Sequence, residues 1–186
     1  MYKKIYHIII LIILLSIKVQ AQMGFTLYPS EYQVKAKYLY NLARFVDWPE
    51  QSFADSNSSY IIGILGEDPF GIDLEKTVEG KKAKGRNFVV KRFPKYEDLQ
   101  FCHILYINLT DKDKLNKVIK KIKNENILTV GDTKNFAQNG GIINFITKEK
   151  KIRFQINLSA AEQSGIQISS LILRQADLIE NKSPGA

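Results

Sequence analysis

Three short apolar runs constrain this chain more than any other feature: residues 60–65 (YIIGIL), 102–107 (CHILYI) and 127–130 (ILTV). A strand with one wet face alternates polar and apolar residues. Runs that barely alternate are instead buried on both faces, as in a parallel sheet lying between layers of helices. Each run stops at a turn and gives way to a helical pattern. After the first come Gly66, Glu67, Asp68 and Pro69, with Asp68 as an N-cap, Pro69 at the first helical position and a helix running to about Val78. After the second, residues 111–123 set Leu115, Val118, Ile119 and Ile122 on one stripe and lysines on the other side. After the third, Gly131, Asp132 and Thr133 lead into a brief helix ending near Ala137. Strand, helix, strand in this rhythm predicts one α/β domain with a mostly parallel, buried sheet flanked by helices.

Upstream, residues 31–50 (EYQVKAKYLYNLARFVDWPE) carry a helical period. At 3.6 residues per turn Val34, Tyr38, Leu39, Leu42, Phe45 and Val46 share an arc of about 140°, and Trp48-Pro49 ends it. Lys35 breaks the pattern by pointing into the apolar arc. Two readings stay open for it: a stem laid along apolar surface with a wet ammonium, or a fixed cation facing a partner or ligand. Downstream, Gly140-Gly141 introduces residues 142–146, a polar turn at 147–150, and residues 151–157. There Ile152, Phe154 and Ile156 alternate with Arg153 and Gln155, which predicts a C-terminal antiparallel hairpin with Arg153, Gln155 and Asn157 on its polar face. A last helix is expected from Ser169 or Ser170, with Ile172, Leu173, Ala176 and Ile179 inward.

Residues 1–21 read as a secretory signal peptide: Lys3 and Lys4, an apolar run over 8–15, and Val19-Gln20-Ala21 suited to cleavage. The run is shorter than the roughly 20 residues of a membrane span, so the expected product is exported and soluble. Residues 22–30 form an N-terminal extension, 31–180 the domain and 181–186 a tail. Cleavage removes three lysines and lowers the formal charge from +8 to +5, so part of the basicity belongs to the leader. No aromatic residues interleave with the lysines of 111–123 to stack bases, so a solvated helix face is expected there and no nucleic-acid partner.

Catalytic tools are scarce. The chain has one cysteine, Cys102, and two histidines, His7 in the leader and His103. Neighbours on a strand point to opposite faces, so Cys102 and His103 cannot form a nucleophile and base pair, and one thiol with one imidazole is too few for zinc. No enzyme, cofactor or metal is expected. Cys102 is read as a core residue, with a redox role as the alternative. Arg86, Arg153 and Arg174 sit near predicted element ends and, with Lys35, are the candidate residues for a partner or a small anionic ligand.

Several pieces taken in order carry a resemblance. They are Val34-Lys35-Ala36 with 45–49 (FVDWP), 62–66 (IGILG) with Asp68-Pro69-Phe70, the Cys102-His103 strand start, 128–132 (LTVGD), 140–145 (GGIINF), and 153–157 (RFQIN) with Ser169-Ser170-Leu171. Together they resemble the YfiR family of exported regulators across nearly all of the mature chain. The resemblance implies a periplasmic, non-enzymatic protein that binds the sensory part of an inner-membrane signalling protein. In the best-known members that partner is a diguanylate cyclase held inactive, with biofilm formation following through cyclic di-GMP on release. Other relatives accompany membrane histidine kinases, and members can dimerise. Family members are stabilised by disulfides. Here Cys102 matches a family cysteine but has no partner in this chain, so intermolecular oxidation would be its only direct thiol route.

Overall fold

A computed structural model describes residues 29–179; the predicted leader and tail lie outside the described residues. In chain order the elements are α1 (Glu31–Phe45), β1 (Val46–Asp47), β2 (Tyr60–Gly66), α2 (Asp73–Val78), β3 (Phe88–Phe93), β4 (Ile104–Asn108) and α3 (Lys112–Ile122). There follow β5 (Leu128–Gly131), β6 (Ile143–Lys148), β7 (Lys151–Asn157), α4 (Leu158–Gln163), β8 (Gln167–Ile168), α5 (Ser170–Leu173) and β9 (Ala176–Ile179). Seven strands form one sheet in the order β3-β2-β4-β5-β6-β7-β9, while β1 and β8 make a separate antiparallel pair. The five strands from β3 to β6 are mutually parallel, and the hairpin reverses direction at β7. The non-alternating runs are therefore the parallel strands, as burial on both faces requires.

Two apolar layers sandwich the sheet. On one face Ile62, Ile64, Ile104, Tyr106, Val130 and Phe145 meet the inner sides of α1 and α2. On the other, Leu65, Leu105 and Ile107 meet Leu115, Val118, Ile119 and Ile122 of α3, together with Phe136 from the β5–β6 connection. Full burial of each such aliphatic side chain stabilises by about 1.5–3 kcal/mol. In α3 the lysines are on the solvent side, and Asp111 caps the helix by accepting from the amides of Asp113 and Lys114.

Five local expectations are corrected. Helix α1 stops at Phe45, because Val46 turns to extended backbone and pairs with Ile168. Its buried arc is also rotated from the predicted one, to Lys35, Ala36, Leu39, Leu42 and Ala43. The two alanines are at its centre, where a small side chain lets the helix sit close to its neighbours. The helix after β2 begins at Asp73, not Pro69: the Asp68 carboxylate accepts from the amides of Phe70 and Gly71 in a turn, and Gly71 takes a positive φ of 51° before the helix can start. Residues 133–139 form turns and no regular helix. The final helix is the single turn α5; Ala176 and Ile179 belong to β9, which lies parallel to β7 with Phe154 opposite Ala176. Backbone pairing with β7 outcompetes the helical spacing of those residues.

The strand order places the topological switch between β2 and β4, where open α/β sheets commonly bind ligands. Here the crevice is closed by the chain itself. Gly66 has a φ of +92° and a Cβ there would lie 2.3 Å from the Asn108 carbonyl oxygen, while Asn108 Nδ2 donates to the Glu67 carbonyl at 3.0 Å. Asp68 is ion-paired to Arg92 at 2.6 Å, and Arg92 also pairs with Glu75. Glu67 and Asp68 are thus part of a structural turn.

Candidate functional site

The polar cluster of the fold is centred on Lys35. Capping by Ser30, whose hydroxyl accepts from the Gln33 amide while Gln33 Oε1 accepts from the Ser30 amide, sets the first turn of α1. One turn later Lys35 points at the carboxyl end of β5. Its ammonium lies 2.6 Å from Asp132 Oδ2 and 2.6 Å from Glu31 Oε1, and 4.5 Å above the Tyr32 ring. The lysine is only 3% exposed, so the reading with a wet ammonium does not hold: the charge is buried and compensated. Burial alone would lower the Lys35 pKa, but the hydrogen bonds to Asp132 and Glu31 outweigh it and raise it above the ordinary lysine value. Tyr32 donates to Asp132 at 3.3 Å. Beneath them the buried Tyr106 hydroxyl has Asp132 and Tyr32 as polar neighbours; burial first, then the Asp132 charge, push its pKa up.

This cluster forms one wall of an open crevice of about 400 Å³ at the carboxyl end of the parallel strands, with Lys134, Gln138, Asn144 and Gln155 on the others. Asn144 and Gln155 face each other across the hairpin, Asn144 Nδ2 donating to Gln155 Oε1 at 2.9 Å. Asn157, predicted to share that polar face, is fully buried: it caps α4 by accepting from the Ala160 amide and donates to the Ala137 carbonyl. The crevice is therefore charge-balanced and amide-lined.

The candidate arginines separate. Arg86 donates to the carbonyls of Asp55 and Ser58 at 2.8 and 2.9 Å and lies 3.9 Å above the Phe53 ring, so its fork is occupied by its own loop. Arg153 is exposed on β7 and lines a second crevice of about 470 Å³, which shares Glu31 and Thr147 with the first. Arg86 precedes β3 at the far sheet edge, five strand spacings from β7, or roughly 24 Å. Arg174 is exposed at the end of α5. Of the four candidates, only Lys35 and Arg153 line neighbouring crevices.

Cys102 and His103 do point to opposite faces. Cys102 is fully buried beside Gly63 of β2, where an added Cβ would come within 2.9 Å of its Sγ, and burial pushes the thiol up to about 12. Oxidation by another molecule, the redox route considered for this residue, has no access to it in the folded chain. His103 sits on the other face in an aromatic group, stacked on Phe53 at 4.4 Å, with Trp48 and Tyr60 edge-on to it. Its Nδ1 accepts from the Ile61 amide at 3.0 Å, so the proton is on Nε2, which donates to the Ser52 carbonyl at 3.1 Å.

That arrangement fits only the neutral ring. Burial lowers the His103 pKa from 6.5 to about 4, although its bond to Ser52 works the other way. The unfolded chain therefore binds the proton first as pH falls. Stability is fully present above about pH 6.5 and lost between 6.5 and 4, by about 3 kcal/mol at most for a shift of this size. Urea midpoints measured from pH 7 to 4 should fall less steeply for His103→Gln than for the native chain; equal slopes would remove His103 as the cause.

Asp132, the partner that buries Lys35, was not among the residues singled out from sequence. It lies 97 positions from Lys35, and an aspartate between Gly131 and Thr133 reads as turn chemistry. Asn144 was equally hidden, because its pairing with Gln155, a residue expected on the hairpin's polar face, depends on the hairpin register.

The YfiR/HmsC-like family model matches residues 32–177, from the first turn of α1 into β9. No curated protein matches the chain. Among solved structures, a conserved domain protein from Vibrio cholerae O1 biovar El Tor strain N16961 is similar in fold, with a TM-score of 0.53 and 16% identity. The match takes in 81% of this chain and 60% of that one, so the chain spans under two thirds of that protein's length. With the family model covering nearly every described element, the chain belongs to the YfiR/HmsC-like family.

Proposed function

We propose that this chain is an exported, non-enzymatic regulator that binds the periplasmic part of an inner-membrane signalling enzyme, a diguanylate cyclase or a sensor histidine kinase, and restrains it. The observation that carries this reading is the extent of the family match: residues 32–177 take in the whole folded body, leaving no second unit to which another activity would belong among the described residues. The state of the reactive side chains supports it. His103 is held neutral with both ring nitrogens engaged, the Cys102 thiol is held protonated, and Asp68, Glu75 and Asp132 are each committed to a cation. None is poised as a nucleophile or a general base near neutral pH.

Crosslinking in whole cells followed by purification of the tagged chain from membranes should recover an integral membrane protein with a periplasmic sensory domain. Loss of the chain should then change that enzyme's output. Recovery of nothing above an untagged control would sink the reading.

A further inference from the structure

A groove on the α3 side of the sheet plays no part in the cluster described above. It has a volume of about 630 Å³ and runs between α3 and the crossover from β3 to β4. Leu109, Val118, Pro94 and Tyr96 supply an apolar floor and wall. The rim is basic: Lys95 from the crossover, and Lys114, Lys117, Lys120 and Lys121 from the helix, against one acidic residue, Glu97. Lys121 lies 4.8 Å from the Tyr96 ring and so closes one end by bridging helix and crossover. Lys114 reaches Asp111 only at 3.9 Å, and Lys95, Lys117 and Lys120 have no ion-pair partner among the described residues.

An apolar cleft of this size on a soluble surface marks a binding site, and the charge of its rim selects the occupant. Lys114, Lys117 and Lys121 follow helical spacing along one side of α3, spanning about 10 Å at 1.5 Å per residue. A ligand with a single carboxylate would engage one or two of them, whereas a row calls for several anionic groups in series. The floor is concave, which fits a chain laid into it better than a flat bilayer surface. The chain's own leader carries Lys3, Lys4 and Lys18 and no acidic residue, and a second copy would present the same lysines, so neither complements the rim.

We propose that this groove docks an acidic amphipathic segment of a protein partner, its apolar face on Leu109, Pro94 and Tyr96 and its carboxylates against the lysine row. This mode needs apolar anchors at i, i+3, i+4 and i+7 with Glu or Asp between them. The proposal rests on the reading of the chain as a partner-binding regulator, and it names the surface.

The probe is a fluorescein-labelled 15-residue peptide with leucines at that spacing and glutamates elsewhere, titrated with the mature chain by fluorescence anisotropy. Two controls accompany it: a scrambled peptide of the same composition, and the amphipathic peptide with lysine for glutamate. The acidic amphipathic peptide should bind at least tenfold more tightly than either. Its affinity should fall at least tenfold in Lys117→Glu/Lys121→Glu, whose exposed positions leave folding unchanged by circular dichroism, and also fall with added salt. No binding at micromolar concentrations, equal binding of the scrambled peptide, or binding indifferent to the charge reversal would each overturn the proposal. So would charge-dependent sedimentation with phosphatidylglycerol vesicles in the absence of peptide binding, which would assign the groove to a membrane surface. Failure of the regulator reading is separable. A membrane partner recovered equally by the native and the charge-reversed chain overturns the groove alone, while no partner recovered by either overturns the regulator reading and leaves the peptide titration to decide the groove.

Discussion

Lys35→Met is expected to lower the stability of the chain by about 2–4 kcal/mol, with no change in fold. Removing one member of a buried ion pair commonly costs about 3–5 kcal/mol, because the other charge stays behind without compensation. Asp132 is 18% exposed and keeps a bond from the Tyr32 hydroxyl, which brings the expected loss about 1 kcal/mol below that range. Glu31 contributes little to the difference: it is 51% exposed and can return to water, and Glu31→Gln should change stability by less than about 1 kcal/mol. The double variant Lys35→Met/Asp132→Asn should recover most of the loss, since no unpaired charge then remains. Urea unfolding of the three variants separates the two roles open to this lysine. Stability lost as described, with partner capture retained by the folded fraction, makes the Lys35–Asp132 pair structural. Unchanged stability with weakened capture would make Lys35 a partner contact and refute the structural account.

The contrast between Lys35 and Asp132 shows what could be seen in the residues alone. A lysine inside an apolar arc is an exception to a period of 3.6 and stands out in any helical reading. An aspartate at a strand end obeys every local rule, and only the approach of α1 to the end of β5 gives it a role. The same distinction runs through the fold. Strands β2, β4 and β5 were legible because burial on both faces leaves an uninterrupted apolar stretch. Strand β9 was not, because Ile172, Leu173, Ala176 and Ile179 have helical spacing and the preference for strand comes from β7 alongside. The arc of α1 was read by hydrophobicity, which underweighted Ala36 and Ala43, whereas burial in the structure follows how closely the helix can approach. The Lys117–Lys121 side of α3 was legible as charge, but its groove was not, since Leu109, Pro94 and Tyr96 come from two other segments.

The connection that delivers Asp132 to Lys35 depends on one aromatic ring, and Phe136→Ala should destabilise the chain by about 3–5 kcal/mol. Phe136 is fully buried and is held between two glycines: a Cβ at Gly131 would come within 2.6 Å of its ring and one at Gly141 within 2.1 Å. The loop closes around it through a bond from the Gly141 amide to the Phe136 carbonyl, and is pinned from outside by Asn157 at Ala137 and by the Thr129 hydroxyl at the Ile142 amide. Gly141→Ala should therefore cost about 1–3 kcal/mol in the native background, because the ring has to move. In the Phe136→Ala background the added methyl enters the vacated space, and the same substitution should be near neutral or stabilising. A double-mutant cycle on urea midpoints reads this as a coupling of at least about 1 kcal/mol. Additive effects would show that the ring does not fill the space between the glycines, and the placement of Asp132 would then need another anchor.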